Sequence, residues 1–236
     1  MNNNFKKTGF GLMVAALSVA AFAIQDAVSL KRVAKAGEAI KYRLKADVEV
    51  QGVEANFSTL VTEKVTKVES NGNYVLESAQ SEGKVSFSGQ EMEMPASTQT
   101  FTYKANGEVV DIKADTVDAS VYRTANLTAF IVTDKTVKVG DEWTSEIKKD
   151  EKTGAVAAKG TYRVEGEEKV GEFECFKVKF STKETEGGDA AASCEGVSWV
   201  NKKDGSLVKG EGSWKNVPFP GAPAPISAKY TMTREK

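Results

Sequence analysis

Cysteine offers the clearest covalent chemistry in this chain, which contains two of them, Cys175 and Cys194. In an exported chain a lone pair of cysteines is typical of one disulfide, and we predict a cross-strand bridge between them. A loop of this size would stabilise the fold by roughly 3 kcal/mol in the chain-entropy estimate. A redox-active pair would need the C-x-x-C spacing, which is missing, and two cysteines are too few for a cysteine metal site.

Histidine is missing from the sequence, which excludes Ser-His-Asp and Cys-His catalysis and histidine-ligated zinc. Acidic pairs at 141–142 and 167–168 leave a two-carboxylate hydrolase open, although adjacent acids in a charged, strand-rich chain are usually surface residues. No glycine-rich loop follows a strand and opens a helix, so nucleotide binding is not supported. The S-x-x-K motif works on a helix, but its matches fall on predicted strands or turns, beginning at Ser81, Ser145 and Ser206. We therefore predict no catalytic residue, no metal site and no cofactor.

Residues 1–23 are predicted to be a cleaved signal peptide. Lys6 and Lys7 form a basic n-region, an apolar stretch runs from Gly9 to Ala20, and Ala21-Phe22-Ala23 is a small-x-small cleavage site. The apolar stretch is too short to span a bilayer comfortably, and no cysteine near the cleavage site could carry a lipid. We expect a mature chain that begins near Ile24, has no transmembrane segment and is periplasmic or extracellular.

The charges of the mature chain are balanced. Without Lys6 and Lys7 the 32 basic residues fall to 30, against 33 acidic residues, and the two signs are interspersed. Nucleic acid requires a basic face, and electrostatic attachment to anionic lipid requires a basic patch. The charge pattern therefore argues against both partners.

Strand patterning dominates the mature chain. Apolar and charged residues alternate from Ile40 to Val50, which predicts a strand with one buried and one solvated face. Asn106-Gly107 and Asp204-Gly205 are the strongest hairpin signals, because a type I′ turn needs positive φ at both central residues. These patterns predict an antiparallel β protein.

Three segments depart from simple alternation. Residues 115–130 place apolar side chains at helical spacing, which predicts a short linking helix with its N-cap at Asp115 or Thr116. Val217 to Pro225 contains four prolines and is predicted to be an extended connector. The strand Phe173–Phe180 changes its apolar parity midway, which indicates a bulge.

Glycine landmarks recur at near-constant spacing, which indicates two similar tandem β units, although any β-rich chain places glycine at its turns. The pairs, separated by 103, 99 and 98 residues, are Gly37 and Gly140, Gly72 and Gly171, and Gly107 and Gly205. We predict a first β unit at 24–114, a helical linker at 115–136 and a second β unit at 137–236. The predicted fold is mainly β, a curved antiparallel sheet or half-barrels built from these two units with one short linking helix.

Several motifs carry a family resemblance. The Val137–Trp143 opening, the Gly171–Cys175 strand and the hairpin from Trp199 to Gly205 resemble an uncharacterised family of exported bacterial antiparallel-β proteins. More distantly, the chain is similar to periplasmic lipoprotein carriers and lipid-binding lipoproteins, whose curved sheet wraps a hydrophobic cavity. That resemblance implies a lipid or other apolar ligand, although one fold can host several roles. The chain differs from the lipid-binding lipoproteins in having no acylated cysteine, and the resemblance carries over no catalytic residue.

Three functions fit these observations, and we rank them in order. The first is a non-enzymatic envelope protein that binds a lipid or other apolar small molecule within its curved sheet. The second is a structural or interaction module that binds an envelope protein or a polysaccharide through loops at residues 89–97 and 183–192. The third is a histidine-free hydrolase that uses Asp141 and Glu142.

Overall fold

The computed structural model describes residues 27–115, 117–219, 222 and 224–236. The predicted signal peptide at residues 1–23 lies outside this part of the chain. Within the described residues, none of the helices is long and apolar enough to cross a membrane.

The described chain is mainly β, as predicted, with a single α-helix. The strands are β1 (Ala39–Val50), β2 (Val53–Val68), β3 (Tyr74–Phe87), β4 (Gln90–Met94), β5 (Ser97–Tyr103), β6 (Val109–Lys113), β7 (Glu142–Ile147), β8 (Ala158–Val170), β9 (Phe173–Glu184), β10 (Ser193–Asn201), β11 (Leu207–Val217) and β12 (Ile226–Arg234), and the helix is α1 (Ala119–Thr128).

All twelve strands belong to one antiparallel sheet. Its order is β6-β5-β3-β2-β1-β12-β11-β10-β9-β8-β7, and β4 pairs with β3 alone. The edge strands β6 and β7 do not pair, so the sheet curves without closing into a barrel. The prediction of a curved antiparallel sheet with one helix is therefore confirmed.

The first and last strands meet at the centre of the sheet. In the β1–β12 ladder Tyr42 lies opposite Arg234 and Glu49 opposite Ser227. The predicted units at 24–114 and 137–236 thus form two halves of one sheet, which we call the N-terminal half (β1–β6) and the C-terminal half (β7–β12). The landmark glycines all have positive φ, from 61° to 93°. The origin of the halves as tandem repeats stays a prediction.

Alternation along the strands decides which side chains face inward. On β1, Tyr42 and Ala46 are buried, whereas Lys41 and Lys45 are exposed. Cross-strand partners share a face, so Val61, opposite Tyr42 on β2, also points to the concave side. The period of two seen in the sequence therefore defines the concave face.

Asp118 caps the helix. Its side chain accepts hydrogen bonds from the backbone N–H groups of Ser120 at 2.8 Å and Val121 at 3.2 Å. The helix lies inside the segment predicted to be a linker, but its cap comes three residues after the predicted Asp115, and the alternative cap Thr116 lies outside the described residues. Asp118 is the better cap because the helix starts immediately after it, at Ala119.

The main hydrophobic core lies between the C-terminal half and the chain that crosses its concave face. The crossing chain consists of α1 and residues 129–139. We call α1 and these residues together the filling segment. Burial of each large apolar side chain contributes roughly 1.5–3 kcal/mol. The filling segment contributes Leu127, Ile131, Val132 and Val137, and the strands contribute Val164, Phe176, Val178 and Val200.

The fold contradicts the predicted disulfide between Cys175 and Cys194, because both thiols are free and buried. In the β9–β10 ladder Cys194 lies opposite Thr182, seven residues from Cys175 and about 23 Å along the strand. A disulfide needs Cα atoms within about 7 Å. The odd separation also places the two thiols on opposite faces of the sheet. Burial raises the pKa of Cys175 to about 11 and that of Cys194 to about 12, which keeps both thiols protonated.

The predicted bulge in Phe173–Phe180 is also misplaced. β9 pairs with β10 without a register shift, and the bulge lies on the neighbouring β8, between Val164 and Gly166. The parity change in β9 has another cause, since both faces are covered there. Phe176 belongs to the main core, whereas Cys175 packs with Trp199 on the outer face.

Candidate functional site

An apolar cavity of roughly 710 Å³ lies on the concave side, mainly between the N-terminal half and α1. Ligand pockets usually measure about 300–1,000 Å³ and are mostly apolar with a few polar groups. The volume and lining therefore suit a small apolar molecule. Its wall includes Ile40, Leu44, Phe57, Leu76, Phe101 and Met232, and α1 contributes Val121 and Ala125.

Residues 27–37 close one end of the cavity. We call this end of the cavity the base. Backbone hydrogen bonds run from Arg32 N to Ala105 O at 3.0 Å and from Val33 N to Asp204 O at 2.9 Å. These two bonds tie the segment to both halves of the sheet. At Gly205, whose φ is +69°, an added Cβ would lie 2.5 Å from a backbone oxygen of this segment. Glycine at position 205 is thus required for two reasons, the positive φ of the turn and the close approach of residues 27–37.

Three of the described cavity-lining residues carry a charge, namely Arg32, Glu38 and Glu63, and two of them pair. Arg32 Nη2 donates to Glu38 Oε2 at 2.6 Å. Arg32 Nη1 donates to the carbonyl oxygens of Val33 at 3.0 Å and Asp204 at 3.3 Å. The Arg32 guanidinium is therefore held by partners of its own, and Glu38 offsets its charge.

Glu63 is the third charged group of the cavity. On β2 it lies opposite Ile40 of β1 and Ser78 of β3, on the concave face. It makes no hydrogen bond or ion pair within the described chain, and Arg32 acts on it only through its charge. The side chain is half-buried, and the surface that it retains faces the cavity. Removal from water raises the pKa of Glu63 to about 7.

Tyrosines surround this carboxylate. The rings of Tyr74 and Tyr103 stack with centroids 5.5 Å apart, and Tyr42 donates its hydroxyl proton to Leu207 O at 3.0 Å. Burial, followed by the nearby charge of Glu63, raises the pKa of all three tyrosines. Each tyrosine therefore stays neutral and can donate or accept a hydrogen bond at the base.

Exposed apolar side chains lie at the end of the N-terminal half that is opposite to the base. We call this group of side chains the rim. Val53 is 44% exposed, Phe87 42%, Met92 55% and Met94 40%. Residues 90–94, predicted to be a loop, form strand β4 against β3. Met94 lines the cavity as well, so the rim and the cavity are continuous.

The other predicted interaction loop, residues 183–192, is tied to the core. Glu184 is buried, and its carboxylate accepts hydrogen bonds from Arg123 of α1 at 2.7 Å and from Ala192 N at 2.7 Å. Ala191 and Ala192 are buried too. Glu184 thus anchors the helix, whereas Lys183 and residues 185–190 are exposed, so the role of this loop as an interaction site stays a prediction.

The predicted hydrolase residues lie outside the cavity. Asp141 Oδ2 accepts a hydrogen bond from Lys138 N at 3.0 Å, and the exposed Glu142 lies 3.2 Å from Arg163. These contacts are those of a turn and of a surface ion pair. Glu167 and Glu168 are likewise engaged elsewhere, with Lys202 at 2.8 Å and Trp199 Nε1 at 2.8 Å.

Sequence reasoning missed Arg32 and Glu63 as site residues. Arg32 lies in a lead-in without any period, so the sequence gives no signal for its position. Glu63 does carry a signal, because it occupies an inward-facing position between Val61 and Val65. A charged residue at an apolar position of an alternating strand marks a buried polar group, and such groups often belong to functional sites.

Three of the solved structures that match the chain illustrate the similarity. A lipovitellin structure concerned with lipid–protein interactions matches with a TM-score of 0.46 and 12% identity, over 86% of this chain and 25% of that one. A Bacteroides fragilis protein predicted to be exported, with a YmcC-like fold, matches with a TM-score of 0.36 and 13% identity, over 89% of this chain and 100% of that one. A DUF1329 family protein from Desulfovibrio piger matches with a TM-score of 0.23 and 9% identity, over 85% of each chain.

This chain spans only 25% of the lipovitellin chain. No family profile and no curated protein sequence matches the chain. TM-scores below 0.5 leave the function to be argued from the site itself.

Proposed function

We propose that this protein is an exported, non-catalytic binding protein that holds a lipid or other apolar small molecule in its concave cavity. The observation that carries the proposal is the apolar cavity of roughly 710 Å³ beside the N-terminal half of the sheet. Protein interiors are normally packed as densely as organic crystals, with few voids larger than a water molecule. An apolar space of this size gains its missing contacts when an apolar ligand occupies it.

The export and non-catalytic parts of the proposal rest on the sequence. Export is supported by the predicted signal peptide at residues 1–23, and amino-terminal sequencing of the exported protein should begin near Ile24. A binding role is supported by the lack of histidine in the sequence and by the surface contacts of Asp141 and Glu142. Loss of a measured hydrolytic activity on replacement of these two acids would contradict it.

Native mass spectrometry tests the proposal directly. Protein purified from the envelope of its own host is expected to carry an added mass, which solvent extraction should release as an apolar molecule. The extracted protein should then take up a fluorescent apolar probe at one site. Protein that carries no added mass and takes up no probe would overturn the proposal.

A matched pair of variants locates the ligand. Gly210 lines the cavity, and an added Cβ there would make ordinary contacts of 3.9 Å with Leu207 and 4.0 Å with Tyr230. Gly210→Phe should therefore fold, occupy the cavity and weaken probe binding by at least ~10-fold, because the space is already filled. Gly166→Phe is the control, since an added Cβ there meets no atom within 4 Å and Gly166 lies outside the cavity. If both variants bound the probe equally well, the binding site would have to lie outside the cavity.

A second candidate is an interaction module, and the exposure of the rim favours it. Met92 and Phe87 are exposed apolar residues that do not line the cavity, and methionine-rich surfaces adapt to partners. In this case the double variant Phe87→Gln/Met92→Gln should lose a crosslinked envelope partner while it keeps probe binding. Unchanged crosslinking would reject this site.

A further inference from the structure

The described lining of the cavity carries one uncompensated negative charge, and its position has consequences for the ligand. Arg32 and Glu38 form a pair at 2.6 Å, so their charges cancel. Glu63 has no hydrogen-bond partner within the described chain, and it faces the cavity. The base of an otherwise apolar space thus presents a carboxylate without a protein partner among the described residues.

We propose that the ligand is an amphiphile with a protonated amine, bound with its ammonium group on Glu63 at the base and its hydrocarbon part along the apolar wall. This inference rests on the proposed function and adds the chemistry of the head group. An ammonium has three donors and no acceptor. Glu63 supplies the charged acceptor, and Tyr74 and Tyr103, whose pKa values are raised by burial and by the charge of Glu63, line the same cavity.

An anionic head group does not fit the base. Arg32 is the cation that lines the described cavity, and its guanidinium already donates to Glu38 and to the carbonyl oxygens of Val33 and Asp204. A carboxylate or phosphate would therefore meet Glu63 and Glu38 without a free cation to pair with. Like charges brought together in a poorly solvated site repel strongly.

Aromatic rings at the base favour a cation further. Tyr74, Tyr103 and Phe101 form a stacked series with centroid distances of 5.5 Å and 5.7 Å, and all three line the cavity. Ring faces attract alkylammonium groups within about 6 Å of their centroids. The same surface accepts the first methylene groups of the ligand, so the polar head and the apolar chain are both accommodated.

Proton release should accompany binding near neutral pH. The groups that face the base are Arg32 of residues 27–37, its partner Glu38, Asp204 and Arg234 beside Tyr42, and the tyrosines Tyr42, Tyr74 and Tyr103. Burial holds the pKa of free Glu63 at about 7, whereas an ammonium partner favours the ionised carboxylate. Amine affinity should therefore rise as the pH passes through 7 and level off above it.

Calorimetric titration of the extracted full chain with three ten-carbon probes tests the head group. The probes are decylamine, decan-1-ol and decanoate, and the titrations are made at pH ~5.5 and ~8.5, where the amine stays protonated because alkylamines titrate near 10.4. At the higher pH the amine should bind about 10- to 100-fold more tightly than the alcohol, the range for a charge-assisted hydrogen bond. Decanoate should bind more weakly than the alcohol. The amine advantage should fall by at least ~10-fold at the lower pH, where Glu63 is protonated.

Glu63→Gln separates charge from shape, because it keeps the side-chain volume and removes the ionisable group. This variant should lose the amine advantage and its pH dependence while its affinity for decan-1-ol stays within ~3-fold, which also shows that the cavity is folded. Glu77→Gln is the matched control, since Glu77 is exposed on the adjacent strand β3. Its three affinities should equal those of the parent protein.

The outcomes distinguish the two proposals. Decanoate binding as tightly as decylamine, or an amine advantage that survives Glu63→Gln, would overturn the head-group inference and leave the apolar-ligand function intact. Failure of all three probes to bind would overturn the proposed function itself. The predicted order of amine, alcohol and acid, abolished by Glu63→Gln alone, would establish both.

Discussion

The two halves of the sheet use the same alternating pattern and treat their concave faces differently. In the C-terminal half, Val164, Phe176 and Val178 are fully buried beneath the filling segment. In the N-terminal half, inward-facing residues such as Leu44 and Phe57 are only half-buried and line the cavity. The difference therefore lies in what covers each face.

The filling segment explains the difference. Its buried residues Leu127, Ile131 and Val137 belong to the chain between the two halves and pack into the core of the C-terminal half. The cavity-facing side of α1, with Val121 and Ala125, leaves open space in front of the N-terminal half. One crossing chain thus completes one half of the sheet and leaves the other available to a ligand.

The largest expected effect comes from matched phenylalanine truncations in the two halves. Phe176→Ala removes a fully buried ring from the filled half and should lower the free energy of unfolding by about 3–5 kcal/mol. Phe57→Ala removes a half-buried ring that faces the cavity and should cost about 1 kcal/mol. Urea unfolding of the extracted protein measures both. Equal costs would show that the two faces are equally packed in solution.

Release of the helix should have the next largest effect. Arg123→Met leaves the buried Glu184 carboxylate with Ala192 N as its remaining hydrogen-bond donor within the described chain, and should cost about 1.5–3 kcal/mol, the range for a hydrogen bond to a charged group. The double variant Arg123→Met/Glu184→Met should recover part of this loss, because it removes the uncompensated charge but leaves the buried Ala192 N–H without its acceptor. Thermal unfolding of the single and double variants provides the measurement, and a double variant less stable than the single one would contradict this account.

A pH effect of about 1–2 kcal/mol is expected from Glu63 in the open half. The unfolded carboxyl titrates near 4.5 and the folded one at about 7, so the folded state binds more protons between these values. Stability should therefore fall as the pH rises from 4.5 to 7 and stay level above 7. The full shift would correspond to about 3 kcal/mol, which access of water to the cavity reduces. The free energy of unfolding is measured against pH for the parent protein and for Glu63→Gln. The variant should not show the fall between pH 4.5 and 7.

The smallest effect concerns the outer face of the sheet. In the C-terminal half, Lys209 Nζ lies 4.5 Å from the ring centroid of Trp199, so Lys209→Ala should cost less than about 1 kcal/mol. Lys64 is exposed on the outer face of the N-terminal half, and Lys64→Ala should change stability by less than about 0.5 kcal/mol. Denaturant titration of the two variants measures their free energies of unfolding. A larger loss of stability for Lys64→Ala than for Lys209→Ala would contradict this prediction for the outer face.

Local sequence patterns were sufficient to predict most strands, the positions of the hairpins and the helix, whereas residues 90–94, predicted to be a loop, form β4. The alternation from Ile40 to Val50 and the two hairpin turns appear as predicted, but only Gly107 and Gly205 have positive φ, so neither turn is the predicted type I′. The disulfide prediction failed because proximity in sequence was taken for proximity in space. The parity of the residues in the β9–β10 ladder, once known, puts Cys175 and Cys194 on opposite faces.

The cavity could not be predicted from the strand pattern. Alternation shows which side chains point inward, but the space in front of them depends on where the filling segment packs, which is a long-range property. Glu63 was recognisable as a charged residue in an apolar position, whereas its lack of a partner depends on Arg32 being bound to Glu38. The polar base therefore needed the three-dimensional structure.

The pairing of the first strand with the last one has a consequence for how the chain folds as it emerges. Until β12 (Ile226–Arg234) arrives, β1 has β2 on one side and an open edge on the other. Tyr42 and Arg234, which lie opposite each other, are almost the whole described chain apart, and such distant contacts form slowly. The centre of the sheet is thus the last part to form, and an unpaired β1 edge invites association with other chains during that interval. Only the complete chain can assemble the sheet that lines the cavity, so we expect a molecule to enter this cavity after synthesis rather than during it.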